Sequence, residues 1–574
     1  MSKLLALKAA TKLGDVADLL GFKPSYLAYV LYKLPDAAKY EKFTIPKKAG
    51  GEREISSPVG PLKDAQRALS DLLNECRDEI LEATPRKPLS HGFRKKLSIV
   101  SNARNHTNRR YVLNVDFADF FPTFNFGRVR GFFLKDKDFE LDEKIATLLA
   151  KIACFENALP QGSPCSPVIA DMIAHLLDVR LVQLAKKHHV TYSRYAVDLS
   201  FSTNQKEFPA ELALPAEAAD DSWIAGDALV KVIEKSGFLL NPTKTRMQIK
   251  GSRQLVTGLT VNAKANVTRT YWRSLRSMCR SMYETGSYHL PTLKAGVPEG
   301  AAPENITSLA PLAGMMSHVR NVKLKSERLP NDAKPDVVYG HADHVRFWFY
   351  KTFVALERPL IVCEGPTDSI YLRNAIAHLP AFQPTLGEKT PEGFSYAMTF
   401  FNYTNEVHRI LGLTGGASLL VSLMHSYAKR IRAYKHKPLL FPVIILLDND
   451  TVLSPKVAKP LNNHFGTSIS NASTDPFFHL TENLYLVKTP HVAGAPMSEI
   501  EDLFDAATKT IPVEGKIFHR EGEGFDKAIH ISKAPFAHRV VRPHANAINW
   551  DGFTPLLERL VAVLADHAAK VGAP

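Results

Sequence analysis

Cysteine is scarce in this chain: five in 574 residues, at Cys76, Cys154, Cys165, Cys279 and Cys363, never spaced as Cys-x-x-Cys. An odd, scattered set excludes a disulfide framework and a zinc site, and reads as a protein of a reducing cytoplasm. No apolar run approaches the ~20 residues that cross a bilayer, so no membrane partner is expected. The N-terminal Met-Ser-Lys-Leu-Leu-Ala-Leu-Lys lacks the long apolar core and cleavage site of a signal peptide and reads as an amphipathic helix. No internal repeat is present. Acids are missing altogether from 251 to 280, where Arg253, Lys264, Arg269, Arg273, Arg276 and Arg280 stand with Tyr271 and Trp272. Six cations without a counter-charge repel one another unless a polyanion lies nearby. On an expected helix they suit phosphate neutralisation with stacking on unpaired bases.

What is present points the same way. At 45% hydrophobic content the chain can bury more than one core and should divide into at least two domains. The net charge is +14, and it is uneven: residues 1 to 350 hold 50 Lys/Arg against 37 Asp/Glu, and the rest hold 22 against 21. A nucleic-acid partner therefore belongs with the N-terminal part. Two segments there end β-prone runs in acids. Tyr111 to Pro122 reads as a buried strand from which Asp116 projects, and Thr191 to Ser202 reads as a hairpin with Asp198 beside its turn. Nucleotidyl transfer by two metal ions needs carboxylates converging from different segments, the cations roughly 3.5–4 Å apart. Alone, each acid is equally a turn or cap residue.

In order and content, the motifs from about residue 40 to 280 resemble the reverse transcriptase family. The resemblance implies that Lys47, Lys48 and Arg53 in the segment 43–55 meet an incoming triphosphate, for which ammonium and guanidinium groups are suited. It makes Phe121, five residues after Asp116, a steric gate against the ribose 2′-OH. It makes Gln161 and Gly162, within Leu159 to Pro167, a nucleotide-positioning loop whose glycine admits close backbone approach. Lys244, in Gly237 to Arg246, would stand near the leaving pyrophosphate. Asn102-Ala-Arg-Asn-His106 and Val256-Thr257-Gly258 narrow the resemblance to retron reverse transcriptases, which copy part of a dedicated structured RNA into DNA joined to it. That implies deoxynucleotides, the cognate non-coding RNA and RNA-linked DNA as partners. It also implies RNA contacts at Asn102, His106, Val256, Thr257 and Gly258, beside those to which the basic run itself points at Arg253, Lys264, Arg269, Arg273 and Arg276.

The departure from the family is at Val197. Where it carries Tyr-x-Asp-Asp, this chain reads Tyr195-Ala196-Val197-Asp198, and a hydrocarbon can neither coordinate a cation nor balance its charge. Losing one preorganised electrostatic contact typically costs on the order of 10²- to 10³-fold in rate. The expectation is RNA binding with little or no DNA synthesis.

A second pattern starts past residue 350. Arg358 to Leu372 is a short apolar strand, then Glu364-Gly365 and a helix; Phe441 to Asp450 is an all-apolar strand ending in Asp448-Asn449-Asp450. Such strands are central in parallel sheets, and ligands gather outside their carboxyl ends. Asp448 and Asp450 alternate by two and could share one Mg²⁺, a hard cation that prefers oxygen; Glu364 is placed as general acid or base, or as a further ligand. The ordered pair of Glu-Gly and Asp-x-Asp resembles the Toprim domain of topoisomerases, primases and overcoming-lysogenisation nucleases, over roughly 355 to 505. Asp368, Glu501 and Asp502 are candidates for a second metal, with helix-start roles as the alternative.

The expected fold is multidomain, α+β then α/β: a right-hand polymerase followed by a Toprim Rossmann-like parallel-sheet domain. The divisions read as an N-terminal helical region 1–40, fingers and palm 41–265, a helical thumb 266–325, a linker 326–350 and a Toprim domain with C-terminal extension 351–574. By resemblance the whole is a bacterial antiphage defence protein of the toxin and antitoxin kind, its Toprim half a Mg²⁺-dependent (alternatively Mn²⁺-dependent) nuclease acting on a nucleic-acid target. A homo-oligomer is left open. Two other readings stand: an RNA-binding scaffold that regulates the Toprim nuclease, and a C-terminal half that is a non-cleaving interaction module.

Overall fold

The computed structural model describes residues 2–47, 51–84, 87–216, 222–290, 304–327, 340–403 and 410–572, apart from positions 452, 493, 494, 496, 521 and 523. They form two compact units, the first from residues up to Ser274 together with 317–327, the second from 275–290, 304–316 and 340–572.

The first unit opens with helices Lys3–Ala9, Leu13–Leu20 and Pro24–Tyr32. Gly21, left-handed at φ 77°, ends the second of them as a helix C-terminus often requires. Strands β1 (Tyr40–Pro46) and β2 (Glu52–Pro58) form an antiparallel hairpin with Ile45 opposite Arg53. Helices α1 (Gly60–Ala83) and α2 (Ile99–Arg104) lead into an antiparallel sheet. Its strands are β3 (Tyr111–Ala118), β4 (Thr191–Tyr195), β5 (Asp198–Thr203) and β6 (Leu239–Leu240), in the order β4-β5-β3-β6, and β7 (Arg246–Ile249) also pairs with β3. Helix α3 (Ser166–Lys187) joins the same core through Val168, Ile169, Met172, Ile173, Leu177 and Leu181.

The period-2 pattern of β3 positions the chemistry. Leu113, Val115 and Phe117 enter the apolar core with Leu199 and Phe201 of β5. Asn114 and Asp116 therefore turn to the other face, where their register partners are Ser200 and Asp198. A small hairpin, β8 (Leu255–Val256) and β9 (Leu259–Thr260), follows. Helix α4 (Arg269–Thr285) begins in the first unit and from Leu275 onward belongs to the second. Of the stretch 326–350 expected as a linker, residues 328–339 lie outside the described residues and α5 (His341–Phe349) is helix.

The second unit is built on β10 (Leu360–Cys363), β11 (Thr399–Phe400), β12 (Val443–Leu447), β13 (Phe478–Thr481) and β14 (Leu484–Lys488), in the order β11-β10-β12-β14-β13. All run parallel except the edge strand β13. β10, β12 and β14 are buried at every position, which is why they read as unbroken apolar runs. Ile361, Cys363, Ile444, Leu446, Tyr485 and Val487 pack with α6 (Asp368–His378) and α8 (Thr554–Val571); α7 (Ala417–Ile431) buries Leu420, Leu423, Met424 and Tyr427. All five cysteines are free thiols. No helix among the described residues is long and apolar enough to cross a membrane.

Candidate active sites

In the first unit Asp116 and Asp198 are direct partners across β3 and β5, so both carboxylates stand on one face. Lys244 reaches into the same place, its Nζ 2.7 Å from Asp116 Oδ2. Burial and then the neighbouring Asp116 push Asp198 up to about 6, against the pull of Lys244. Ala196 and Val197 form the two-residue turn between β4 and β5, Ala196 at φ 55°. The Val197 side chain packs half-buried against the apolar core. Phe121 starts a short turn of 3₁₀ helix, half-buried, edge-on to Phe120 at 5.5 Å.

The turn is clamped from behind. Arg194, fully buried on β4, grips Asp178 of α3 with Nε and Nη2 (2.8 and 2.7 Å), Asp171 with Nη2 (2.9 Å) and the carbonyl of Ala196 with Nη1 (3.1 Å). Asp171 also receives Arg77 at 3.1 Å and Arg94 at 3.0 Å. Burial opposes ionisation of Asp171, yet Arg194, Arg94 and Arg77 hold its carboxyl below the ordinary range. Gly92 presses on the turn so closely that a Cβ there would lie 2.6 Å from Ala196 N. Sequence reasoning missed this network, although an arginine in a β-prone run and two aspartates seven apart on an apolar helix were its signals.

The motif residues assigned to RNA contact need correction. Asn102 and His106 have no exposed surface. Ser193 Oγ donates to Asn102 Oδ1 at 2.7 Å; with that proton committed, His106 Nε2–H donates to Ser193 Oγ (2.7 Å) and Nδ1 accepts from Ser202 Oγ (2.8 Å). Burial keeps this imidazole neutral, lowering it to about 3. Both residues hold the β4–β5 hairpin from within. Val256 is buried too. Thr257 and Gly258 form the β8–β9 turn at φ 48° and 79°, and Thr257 Oγ1 donates to Ile99 O of α2 at 3.2 Å. The 256–258 turn is thus tied to the first residue of the helix that carries Asn102.

The basic run 251–280 also needs correction, because the fold supplies the acids its sequence lacks. Lys264 pairs with Glu327, Arg276 with Asp343 at 3.2 Å and Arg280 with Glu284 at 3.0 Å. Trp272 is buried with Lys323 4.4 Å over its ring, so it is no platform for a base. Arg253, Arg269 and Arg273 are exposed, without an ion pair among the described residues. Lys47 and Arg53 are exposed on the β1–β2 hairpin, and Lys48 lies outside the described residues. Gly162, at φ 120°, is demanded by β2: a Cβ there would meet Ile55 Cγ2 and Ser56 O at 2.9 Å each, and Ser56 N donates to Gln161 O at 2.8 Å.

In the second unit Glu364 follows β10 and Asp448 follows the adjacent β12, and Asp448 N donates to Glu364 Oε2 at 3.2 Å. Ligand atoms of Asp448, Glu499 and Glu501 lie within 4.8 Å of one another. Lys533 enters this cluster at 3.0 Å from Glu501, 3.1 Å from Glu499 and 3.7 Å from Asp448. Burial, then the crowded acids, raise Asp448, Glu501 and Glu364, and push Asp368 up to about 7. Burial opposes the charge on Lys533, yet Glu501, Asp448 and Glu499 hold it above the ordinary lysine range. Oxygen donors crowded beyond what one ammonium balances fit a hard divalent cation.

One assignment shifts here. Asp502 turns away, capping Glu499 N at 2.9 Å and pairing with Arg520. Glu499, not singled out from the sequence, takes its place. Asp450 Oδ1 accepts from Leu453 N at 3.2 Å; Asp450 lies outside the three-acid cluster found among the described residues but close enough to Glu364 to help raise its carboxyl. Asp368 accepts from Gly365 N at 2.8 Å, which fixes the turn after Glu364.

The family model for reverse transcriptase (RNA-dependent DNA polymerase) matches residues 45–261. The retron Ec86 reverse transcriptase of Escherichia coli is 30% identical over 246 residues, 43% of this chain and 70% of that protein. The chain belongs to the retron reverse transcriptase family. The retron Mx162 reverse transcriptase of Myxococcus xanthus is 36% identical over 288 residues, 46% of this chain and 57% of the relative. The Mx65 enzyme of the same organism is 32% identical over 281 residues, with 61% of it covered. This member of the family spans about three fifths of the length of those two relatives. A Candida albicans telomerase solved with a telomeric RNA fragment has a TM-score of 0.30 at 10% identity, covering 56% of this chain and 61% of the telomerase.

Proposed function

We propose that this chain binds a structured retron RNA and deoxynucleotides in its first unit, as an RNA-directed DNA polymerase slowed or silenced by Val197. Its second unit is then a Mg²⁺-dependent nuclease of Toprim type serving antiphage defence. The observation that carries the first part is the pairing of Asp116 with Asp198 on one face while the half-buried Val197 side chain packs against the apolar core and offers no oxygen. Asp116 and Asp198 would hold a divalent ion, with Lys244 as the neighbouring cation; a further ion would lack an oxygen from position 197. Such ions polarise phosphoryl oxygens and stabilise the charge that develops on transfer. The chain's own part is to fix these carboxylates, which the Arg194 network and His106 do. The retron relatives, reverse transcriptases by name, favour the same reading.

Support for the second part is the parallel sheet with acids outside its strand ends and the Asp448, Glu499, Glu501 and Lys533 cluster. Glu364 and Asp448 would be central there, with Asp450 and Asp368 shaping the loops that present them. The retained, internally braced palm equally favours a second reading, a scaffold that holds RNA and regulates the nuclease. The test is to extract nucleic acid from the purified protein. RNA free of joined DNA is expected; RNA covalently joined to DNA at full occupancy overturns the silenced-polymerase reading.

A further inference from the structure

The second unit carries a basic surface that neither acidic centre uses. From Ile410 to Leu447 the chain has no Asp or Glu, and Lys429, Arg430, Arg432, Lys435 and Lys437 crowd into nine residues at the end of α7 and beyond it. The fold supplied acids to the run 251–280, so the same question applies here. Lys437 meets Glu482 at 3.7 Å, and Arg430 lies over the Phe349 ring at 5.3 Å. Lys429, Arg432 and Lys435 are exposed, with no carboxylate at ion-pair distance among the described residues.

Instead the fold brings in more cations. Lys435 N and His436 N both donate to Tyr283 O of α4, at 3.0 and 2.9 Å. Arg346 of α5 lies 4.7 Å over the Tyr283 ring and 5.6 Å over Tyr434, and its Nη2 donates to Ala433 O at 3.0 Å. Arg280, one turn before Glu284 on α4, completes the group. Arg280, Lys435 and Arg346, from three separate segments, act together on Glu284 and lower its carboxyl, Arg280 most, while the nearby Asp343 is taken by Arg276. Holding like charges together costs free energy unless a polyanion balances them. A guanidinium laid on aromatic faces is preorganised for phosphate. Tyr283, Phe349, Tyr350 and Tyr434 are all buried, so the surface offers none of these rings for stacking on unpaired bases.

We propose that Arg280, Arg346, Lys429, Arg432 and Lys435 form a docking surface for the phosphodiester backbone of a nucleic-acid duplex, acting independently of the palm. The surface needs no metal, so it stands or falls separately from the nuclease reading. The full chain carrying Lys429→Gln, Arg432→Gln and Lys435→Gln is compared with the parent in EDTA, using fluorescent RNA and DNA duplexes of about 20 base pairs over a range of salt. All three side chains are exposed, so the variant should melt with the parent. Affinity for at least one duplex should fall about 10- to 100-fold at low salt, and the slope of log K against log salt should flatten by roughly 2 to 3. The duplex that loses affinity identifies the partner as RNA or DNA. Unchanged affinity and slope for both duplexes overturn the proposal. So does an equal loss for single strands, or a loss confined to vesicles of anionic phospholipid.

Discussion

In the first unit two carboxylates face each other across neighbouring antiparallel strands; in the second, acids arrive from two adjacent parallel strand ends and from the segment around Glu499 and Glu501. The first places its buried charge behind the site, where Arg194, Arg77 and Arg94 balance Asp171 and Asp178, and leaves a sparse front of Asp116, Asp198 and Lys244. The second places its charge in the site itself, with Lys533 as the cation at its centre. Rigidity of a site and its capacity for cations are therefore separable. On the reading proposed above, the first unit keeps the bracing that positions its hairpin while position 197, at that hairpin's turn, offers no oxygen donor.

Substituting Arg194 with Met tests the bracing most strongly, since it leaves Asp171 and Asp178 buried without their main partner. Chemical denaturation should show a loss of about 3–5 kcal/mol; a loss under about 1 kcal/mol would mean the network does not hold the hairpin. In the second centre Asp448→Asn should act in the opposite direction. It relieves crowding, so the melting temperature in EDTA should rise, while Mg²⁺-dependent nucleic-acid cleavage should fall by at least about 10²-fold. Cleavage at the parental rate would return the second unit to a non-cleaving role.

Acid sensitivity separates the units further. His106 is held near 3 in the fold against an ordinary 6.5, so the unfolded chain takes up the proton first. Its contribution is complete above about pH 6.5 and is lost as pH falls toward 3, amounting to about 3 kcal/mol by pH 4. Stability profiles of the parent and His106→Gln should converge on acidification; parallel profiles would exclude His106 as the source. The smallest expected effect is at Thr257→Val, which removes one hydrogen bond to Ile99 O and should cost about 1 kcal/mol. A neutral result there would mean that this hydrogen bond does not hold the 256–258 turn to the helix that carries Asn102.

Local pattern carried the strands and their acids: the alternation in Tyr111–Ala118 dictates that Asp116 leaves the core, and the unbroken apolar runs before Glu364 and Asp448 mark buried parallel strands. Long-range partners were not legible. Asn102 and His106 looked like surface recognition residues because Ser193 and Ser202, which satisfy them, lie about 90 positions away. The cations of 251–280 looked unopposed because Glu327 and Asp343 come from later helices. Glu499 was overshadowed by Glu501 and Asp502 in one acidic cluster, where only the turn geometry decides which side chain faces Asp448. Lys533, a lone lysine beyond that cluster, gave no signal at all.

The central claim, that the palm is intact but short of one oxygen donor, is tested most directly by primer extension on the cognate RNA with the parent and Val197→Asp side by side. The variant should synthesise DNA on the order of 10²- to 10³-fold faster. Equal rates in the two proteins would contradict the account.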